Sequence, residues 1–149
     1  MEQGPAAFGA LALRLSLGVM YLAHAGLKIF VFSLPGTAAF FAAHGFPGWS
    51  AYPVAAAEVV AGLLLVLGLH VRAVALGMLP VLLGAALVHL PNGWVFSNPN
   101  GGWEYPVFLA VASVVQAPIG EGAWAPGGVR PRPDLDTVRS SRDVRRERG

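Results

Sequence analysis

This sequence reads as an all-α integral membrane protein, a bundle of four transmembrane helices with little material outside the lipid. Of its 149 residues, 55% are hydrophobic and 12% are charged, whereas a soluble domain carries about a quarter charged residues. Its apolar residues gather into four long stretches, and two of the connections between them hold no lysine or arginine at all. That asymmetry is a topological signal of membrane proteins. The soluble alternative, a buried all-α core, would need a polar outer layer that this composition does not supply.

The first stretch runs from about Phe8 to Phe32 and is long enough to cross with tilt, since a spanning helix needs roughly 20 residues. The second, from about Tyr52 to Leu69, and the third, from about Ala73 to Leu90, are near the minimum. The fourth, from about Glu104 to Pro118, is short and carries Pro106 near its start. A proline suits a first helical turn, where its missing N–H is not needed. Ala23-His24-Ala25 imitates a signal-peptide cleavage site, but no basic residue precedes the apolar run and Ile29 to Phe32 continue it. The first helix is therefore expected to be retained.

The connections also carry structure. Thr37 to His44 is an apolar, helix-compatible piece between Pro35-Gly36 and Gly45-Phe46-Pro47-Gly48. It is expected to form a short interfacial or re-entrant helix in the first outer loop. Asn92-Gly93 and Asn98-Pro99-Asn100-Gly101-Gly102 are turn-rich. After Pro126 the chain becomes Pro-, Gly- and charge-rich. The expected organisation is a membrane domain over residues 1–126 and a disordered basic tail over 127–149. Seven arginines stand from Arg130 onward, so the basic balance belongs to the tail and implies no nucleic-acid partner.

Orientation follows from the same residues. Arg72 lies in the second-to-third connection, and neither Phe32 to Ala51 nor Pro91 to Trp103 holds a basic side chain. Four spans then place both termini and Arg72 in the cytoplasm of a plasma-membrane, multi-pass protein. Trp49, Tyr52, Trp94, Phe96, Trp103 and Tyr105 would form an outer aromatic belt. There is no cysteine, which excludes disulfides, thiolate catalysis and cysteine-ligated metals in this chain.

Ionisable residues inside lipid are expensive and mark the first place to look for function. Arg14, Tyr21, His24 and Lys28 fall within one quadrant of the first helix. The topology brings His24, Lys28, Glu58, His89 and Glu104 into the outer half of the bundle and leaves Arg14 towards the cytoplasm. These five are the candidate catalytic residues. Arg14, Tyr21, His24, Glu58 and His89 are the candidates for holding a cofactor. Plainer roles exist for three of them: Lys28 as a snorkelling residue, Glu104 at a helix N-terminus, and His89 at the interface. Glu58 has no such escape, because apolar or small residues flank it on both sides. Pairing with Lys28, or with His24 or His89, is expected. No metal is assigned, since these side chains lack local ligand spacing. Gly18, Gly26, Gly62, Gly77 and Gly84 fall within helices and suit close helix packing better than phosphate binding.

The order Arg14-Leu-Ser-Leu-Gly18, His24-Ala-Gly26-Leu-Lys28, Glu58-Val-Val-Ala-Gly62, His89 and Gly101-Gly102-Trp103-Glu104-Tyr105 resembles the DoxX family of small four-helix membrane proteins. Gly120-Glu121-Gly122 also suits it, so the resemblance covers about Leu11 to Gly122. It implies a membrane component linked to redox chemistry, since some relatives are subunits of a thiosulfate:quinone oxidoreductase. Others associate with sulfur-transfer and superoxide-handling proteins. The leading expectation is an accessory subunit of a quinone-linked oxidoreductase. Quinone would be its cofactor, membrane lipid its surroundings, and other subunits of a membrane redox complex its partners. A non-catalytic scaffold or assembly subunit is the alternative, and a small-molecule or proton-coupled transporter the third.

Overall fold

The structure is a computed structural model and describes residues 4–126. The tail over 127–149 lies outside the described residues. Among the described residues all regular structure is helical, with no strand. Three segments are long and apolar enough to cross a membrane: Pro5–Val31, Gly48–Leu67 and Val71–Asn92. Leu34–Ala43 and Glu104–Ile119 are shorter apolar helices.

The first segment begins with helix α1 (Pro5–Gly26), whose Pro5 occupies the first turn, where no amide donor is required. It then widens into a π-helical turn over Leu27–Val31, closed by Phe32 N–H donating to the Leu27 carbonyl at 2.9 Å. Such turns insert one extra residue per turn and re-aim side chains, here that of Lys28. Ser33, at φ 62°, ends the segment, and its hydroxyl accepts from Gly36 N–H to cap helix α2 (Leu34–Ala43). Helix α2 packs against a 3₁₀ turn at Gly48–Ser50 and against helix α3 (Ala51–Leu67).

Gly68, at φ 74°, and His70, at φ 51°, both adopt left-handed backbone and reverse the chain after α3. The third apolar stretch was expected as one helix over about Ala73 to Leu90. It is instead two, α4 (Val71–Gly77) and α5 (Leu79–His89), broken at Met78. Pro80 is the physical reason: it donates no hydrogen bond and its ring crowds the carbonyl four residues earlier. After a loop comes helix α6 (Glu104–Ile119), which packs against α1, α4 and α5. Leu17, Tyr21, Ala61, Leu65, Val71, Met78, Leu82, Leu109 and Ala112 form the buried core shared by these helices.

Helices α1 and α3 run antiparallel and meet most closely at Gly18 and Gly62. A Cβ on Gly62 would lie 2.9 Å from the Gly18 carbonyl oxygen, and one on Gly18 3.0 Å from that of Gly62. Backbone cannot yield there, so both positions require glycine. The other three helical glycines expected to serve packing do not. A Cβ at Gly26 or Gly77 would meet nothing, and one at Gly84 would only touch Phe46 at 4.0 Å. The helices do not approach one another at those positions, which apolar sequence alone could not distinguish.

Gly62→Ala is expected to lower stability by about 1–3 kcal/mol through overpacking. Gly77→Ala is expected to leave it unchanged or raise it by up to about 1 kcal/mol, the helix propensity difference. Reversible unfolding in mixed micelles checks both.

Candidate functional site

The approach of α1 to α3 decides where the costliest side chain lies. Glu58 is 5% exposed on α3, two turns into an apolar helix. Lys28 belongs to the π-helical turn, farther along α1, and its stem reaches back to Glu58. Its Nζ donates to Oε1 and to Oε2, both at 2.8 Å. The Glu58 charge, which could not be buried alone, is thereby held in a neutral, doubly bonded pair with the half-buried Lys28. This is the pairing expected from the sequence. His24 and Tyr21, one and two turns back on α1, lie within electrostatic reach of the same carboxylate.

His24 begins a second cluster. Its Nδ1 is 2.8 Å from the Met20 carbonyl, so this nitrogen carries the proton as donor. In the neutral form of the ring Nε2 is then the acceptor. The imidazole stacks on the Tyr105 ring, with centroids 5.6 Å apart and planes 24° apart. Tyr105 was expected in an outer aromatic belt. It instead packs inward, and its hydroxyl is buried with no protein partner. Trp49, Tyr52, Trp94 and Phe96 are exposed.

His24, His89, Phe96, Tyr105 and Pro106, with Gly101 and Gly102, line one cavity of about 310 Å³. The loop from Gly93 to Trp103 builds its outer wall. Trp103 N–H donates to the Gly93 carbonyl at 3.2 Å and Glu104 N–H to that of Trp94 at 3.1 Å. The Trp94 and Trp103 rings meet edge to face at 4.4 Å. Gly102 is required there, since a Cβ would collide with the Trp94 and Val95 carbonyls. Asn92 braces the same loop by donating to the Asn100 carbonyl at 3.1 Å.

The structure thus brings together Lys28 with Glu58, and His24 with His89 across one cavity. Glu104 is placed apart from them. Its carboxylate accepts from Phe96 N–H at 2.8 Å and closes the loop against the start of α6. Tyr21 is 2% exposed and shares a hydrogen bond of 3.0 Å with Ser113 of α6. Arg14, also 2% exposed, lies near the other end of α1 and donates to the Ala123 carbonyl at 3.3 Å. The sequence reading missed Ser113 and Gln116, both fully buried on α6. Their signal was available: each is a polar residue in an otherwise apolar helix, which carries the same kind of cost as a buried charge. Among the described residues, no group of three or more His, Asp or Glu side chains could hold a metal ion.

Removing one partner leaves the other charge buried and unpaired. Lys28→Met is expected to cost about 3–5 kcal/mol. Adding Glu58→Leu to that variant is expected to recover most of the loss. A double-mutant cycle of unfolding free energies in mixed micelles measures the difference.

The sequence pattern of the DoxX family matches residues 9–90. A protein of Bacillus subtilis (strain 168) named "Putative oxidoreductase CatD" is 37% identical over 79 residues. Those residues are 53% of this chain and 58% of that protein, so the match spans little more than half of the relative's length. No solved structure matches the chain. The family match contains Arg14, His24, Lys28, Glu58 and His89, and with its apolar helices it makes this chain a membrane protein of the DoxX family.

Proposed function

We propose that this chain is an accessory subunit of a quinone-linked membrane oxidoreductase, and that the cavity between His24 and His89 receives the quinone ring. The observation that carries this reading is the convergence of two imidazoles and a tyrosine on one cavity, one turn from a buried ion pair. The oxidoreductase name of the Bacillus relative supports it.

The cavity suits such a group. At about 310 Å³ it is at the small end of ligand pockets, large enough for one ring with its tail leaving along the bundle surface. Phe96, Pro106 and the Tyr105 ring supply apolar walls. A quinone, when bound, supplies two-electron chemistry coupled to two protons. His24 Nε2 is the acceptor that takes a hydroxyl proton, and the carbonyl of Met20 holds the ring in that tautomer. Glu58 is placed to receive charge changes at His24, and Lys28 balances it. The chain has no cysteine, so electrons enter from a redox centre on a partner subunit.

In this reading α6 is the fourth span and completes the bundle with α1, α3 and the α4–α5 pair. Helix α2 then lies at the outer interface over the Lys28 turn. Residues 1–126 form the membrane domain of a multi-pass plasma-membrane protein. Both termini are cytoplasmic, and the basic residues of 127–149 meet a partner or anionic lipid. Packing of α6 against α1, α4 and α5 supports this arrangement, as does the absence of basic residues from 32–51 and 91–103.

Native mass spectrometry of protein extracted gently from its own membranes tests the function. A bound species of quinone mass is expected, and is expected to disappear in His24→Ala and Glu58→Gln. A stoichiometric protein partner with no small molecule would instead favour the scaffold role. Deleting residues 130–149 is expected to leave insertion intact and to weaken only partner or anionic-lipid binding. Degraded or misinserted protein after that deletion would contradict the assigned tail.

A further inference from the structure

Beyond the cavity, the bundle buries a second series of polar groups. The contact between Tyr21 and Ser113 fixes the antiparallel register of α1 and α6. One turn beyond Ser113 stands Gln116, 0% exposed, whose Nε2 donates to the Gly120 carbonyl at 2.6 Å. Two turns before Tyr21 on α1 stands Arg14, held by the Ala123 carbonyl. Glu121, only partly exposed, lies within electrostatic reach of Arg14. In the other direction Tyr21 and His24 stand two turns and one turn before Lys28, whose ammonium holds Glu58, and His24 lines the cavity. Apart from Thr37 of α2, the buried polar side chains among the described residues are Arg14, Glu58, Ser113 and Gln116, with the Tyr21 hydroxyl beside them.

Three atoms in this series have no protein partner: Arg14 Nε, Arg14 Nη1 and Gln116 Oε1. A buried donor or acceptor left unpaired costs about 1–3 kcal/mol. Two donors on α1 and one acceptor on α6 are polar partners of the kind that bridging water takes. The span is short: from Arg14 to the level of Tyr21 is seven residues, or about 10 Å of helix.

We propose that Arg14, Gln116, Ser113, Tyr21 and Glu58 line a hydrated column that carries protons between the cavity and the end of the bundle at which Glu121 lies. Each hop is a proton transfer with nothing oxidised or reduced. Water beside Glu121 gives up a proton to water held by Arg14 and Gln116. The hydroxyls of Ser113 and Tyr21 each accept one proton and release one. The Glu58 carboxylate accepts it and gives it to His24 Nε2, which releases it to the cavity, and run in reverse the same series carries away a hydroxyl proton that His24 takes up. Arg14 stays charged throughout and serves to orient water. Intramembrane carboxylate and histidine chains of this kind are the usual form of a proton relay. The column connects the cavity to the opposite membrane face, whether or not the cavity's ligand is a quinone.

The test uses the full chain reconstituted in neutral phospholipid vesicles that contain a pH-sensitive dye. Potassium and valinomycin hold the potential at zero, and protons are the only probe. Wild-type vesicles are expected to dissipate an imposed pH step several-fold faster than protein-free vesicles. Tyr21→Phe and Ser113→Ala, which remove one hydroxyl each and keep the packing, are expected to fall to the protein-free rate. Gln116→Leu is expected to do the same, and Phe108→Leu, on an exposed face of α6, to keep the wild-type rate. Wild-type vesicles no faster than protein-free ones would overturn the proposal. So would Tyr21→Phe and Ser113→Ala variants that conduct like wild type. The readout needs no quinone, so it fails or holds independently of the redox reading.

Discussion

Glu58 cannot stand alone. A carboxylate buried in the middle of an apolar helix is tolerated only with a partner that neutralises it and fills both of its oxygens. Lys28, the sole lysine of the chain, does both from 2.8 Å. Much of the structure around that pair follows from the requirement. The ammonium is delivered by a π-helical turn, which departs from the helix geometry of α1 at the residue that must reach back. The two backbones come close enough because Gly18 and Gly62 face each other. The Lys28 carbonyl, in turn, lies 3.4 Å from the Thr37 hydroxyl, which ties the start of α2 to the same turn. A single electrostatic constraint therefore sets the register of α1 on α3 and the position of the first connecting helix.

The two ends of the bundle have different chemistry. At one end the His24–Tyr105 stack and His89 meet under a loop tied by its own backbone hydrogen bonds and by Glu104. At the other, Arg14 is enclosed by Gly68 and by the segment after α6. There Gly122 approaches the backbone of α1, and Ala123 N–H donates to the Ala7 carbonyl at 2.9 Å. The edge-to-face contact of Phe8 with Trp124 covers that closure. Glycine is needed at position 68 because a Cβ would collide with the Arg14 guanidinium and because the backbone there is left-handed. A buried arginine held by the Ala123 carbonyl, with no carboxylate bonded to it among the described residues, is suited to ordering water and neighbouring backbone.

Much of this was legible in the sequence because lipid makes two kinds of residue conspicuous. Apolar runs of spanning length stand out by length alone, and the helices fall within a few residues of where those runs place them. Glu58 and Lys28 stand out because the penalty for burying a lone charge leaves so few places for them. What was not legible depends on contact rather than cost. The Pro80 break was present as a proline, but its effect competes with an apolar pattern that continues through it. The five helical glycines expected to serve packing look alike in sequence, and only Gly18 and Gly62 among them meet a neighbouring backbone. Tyr105 reads as an interfacial aromatic until the loop turns it onto His24. Glu104 is written among buried charges, yet its carboxylate closes a loop. Ser113 and Gln116 carry no charge and so drew no attention, although both are fully buried.

The most direct measurement is solid-state NMR of the protein in lipid bilayers, with the lysine ammonium labelled with ¹⁵N and the glutamate carboxyls with ¹³C. Because Lys28 is the only lysine, any coupling from its Nζ is assigned without ambiguity. The account predicts one ionised carboxylate dipolar-coupled to that nitrogen at hydrogen-bonding range, and predicts that the signal vanishes in Glu58→Gln. A Lys28 ammonium with no carboxylate coupling, or a Glu58 carboxyl that is neutral in the bilayer at pH 7, would contradict it.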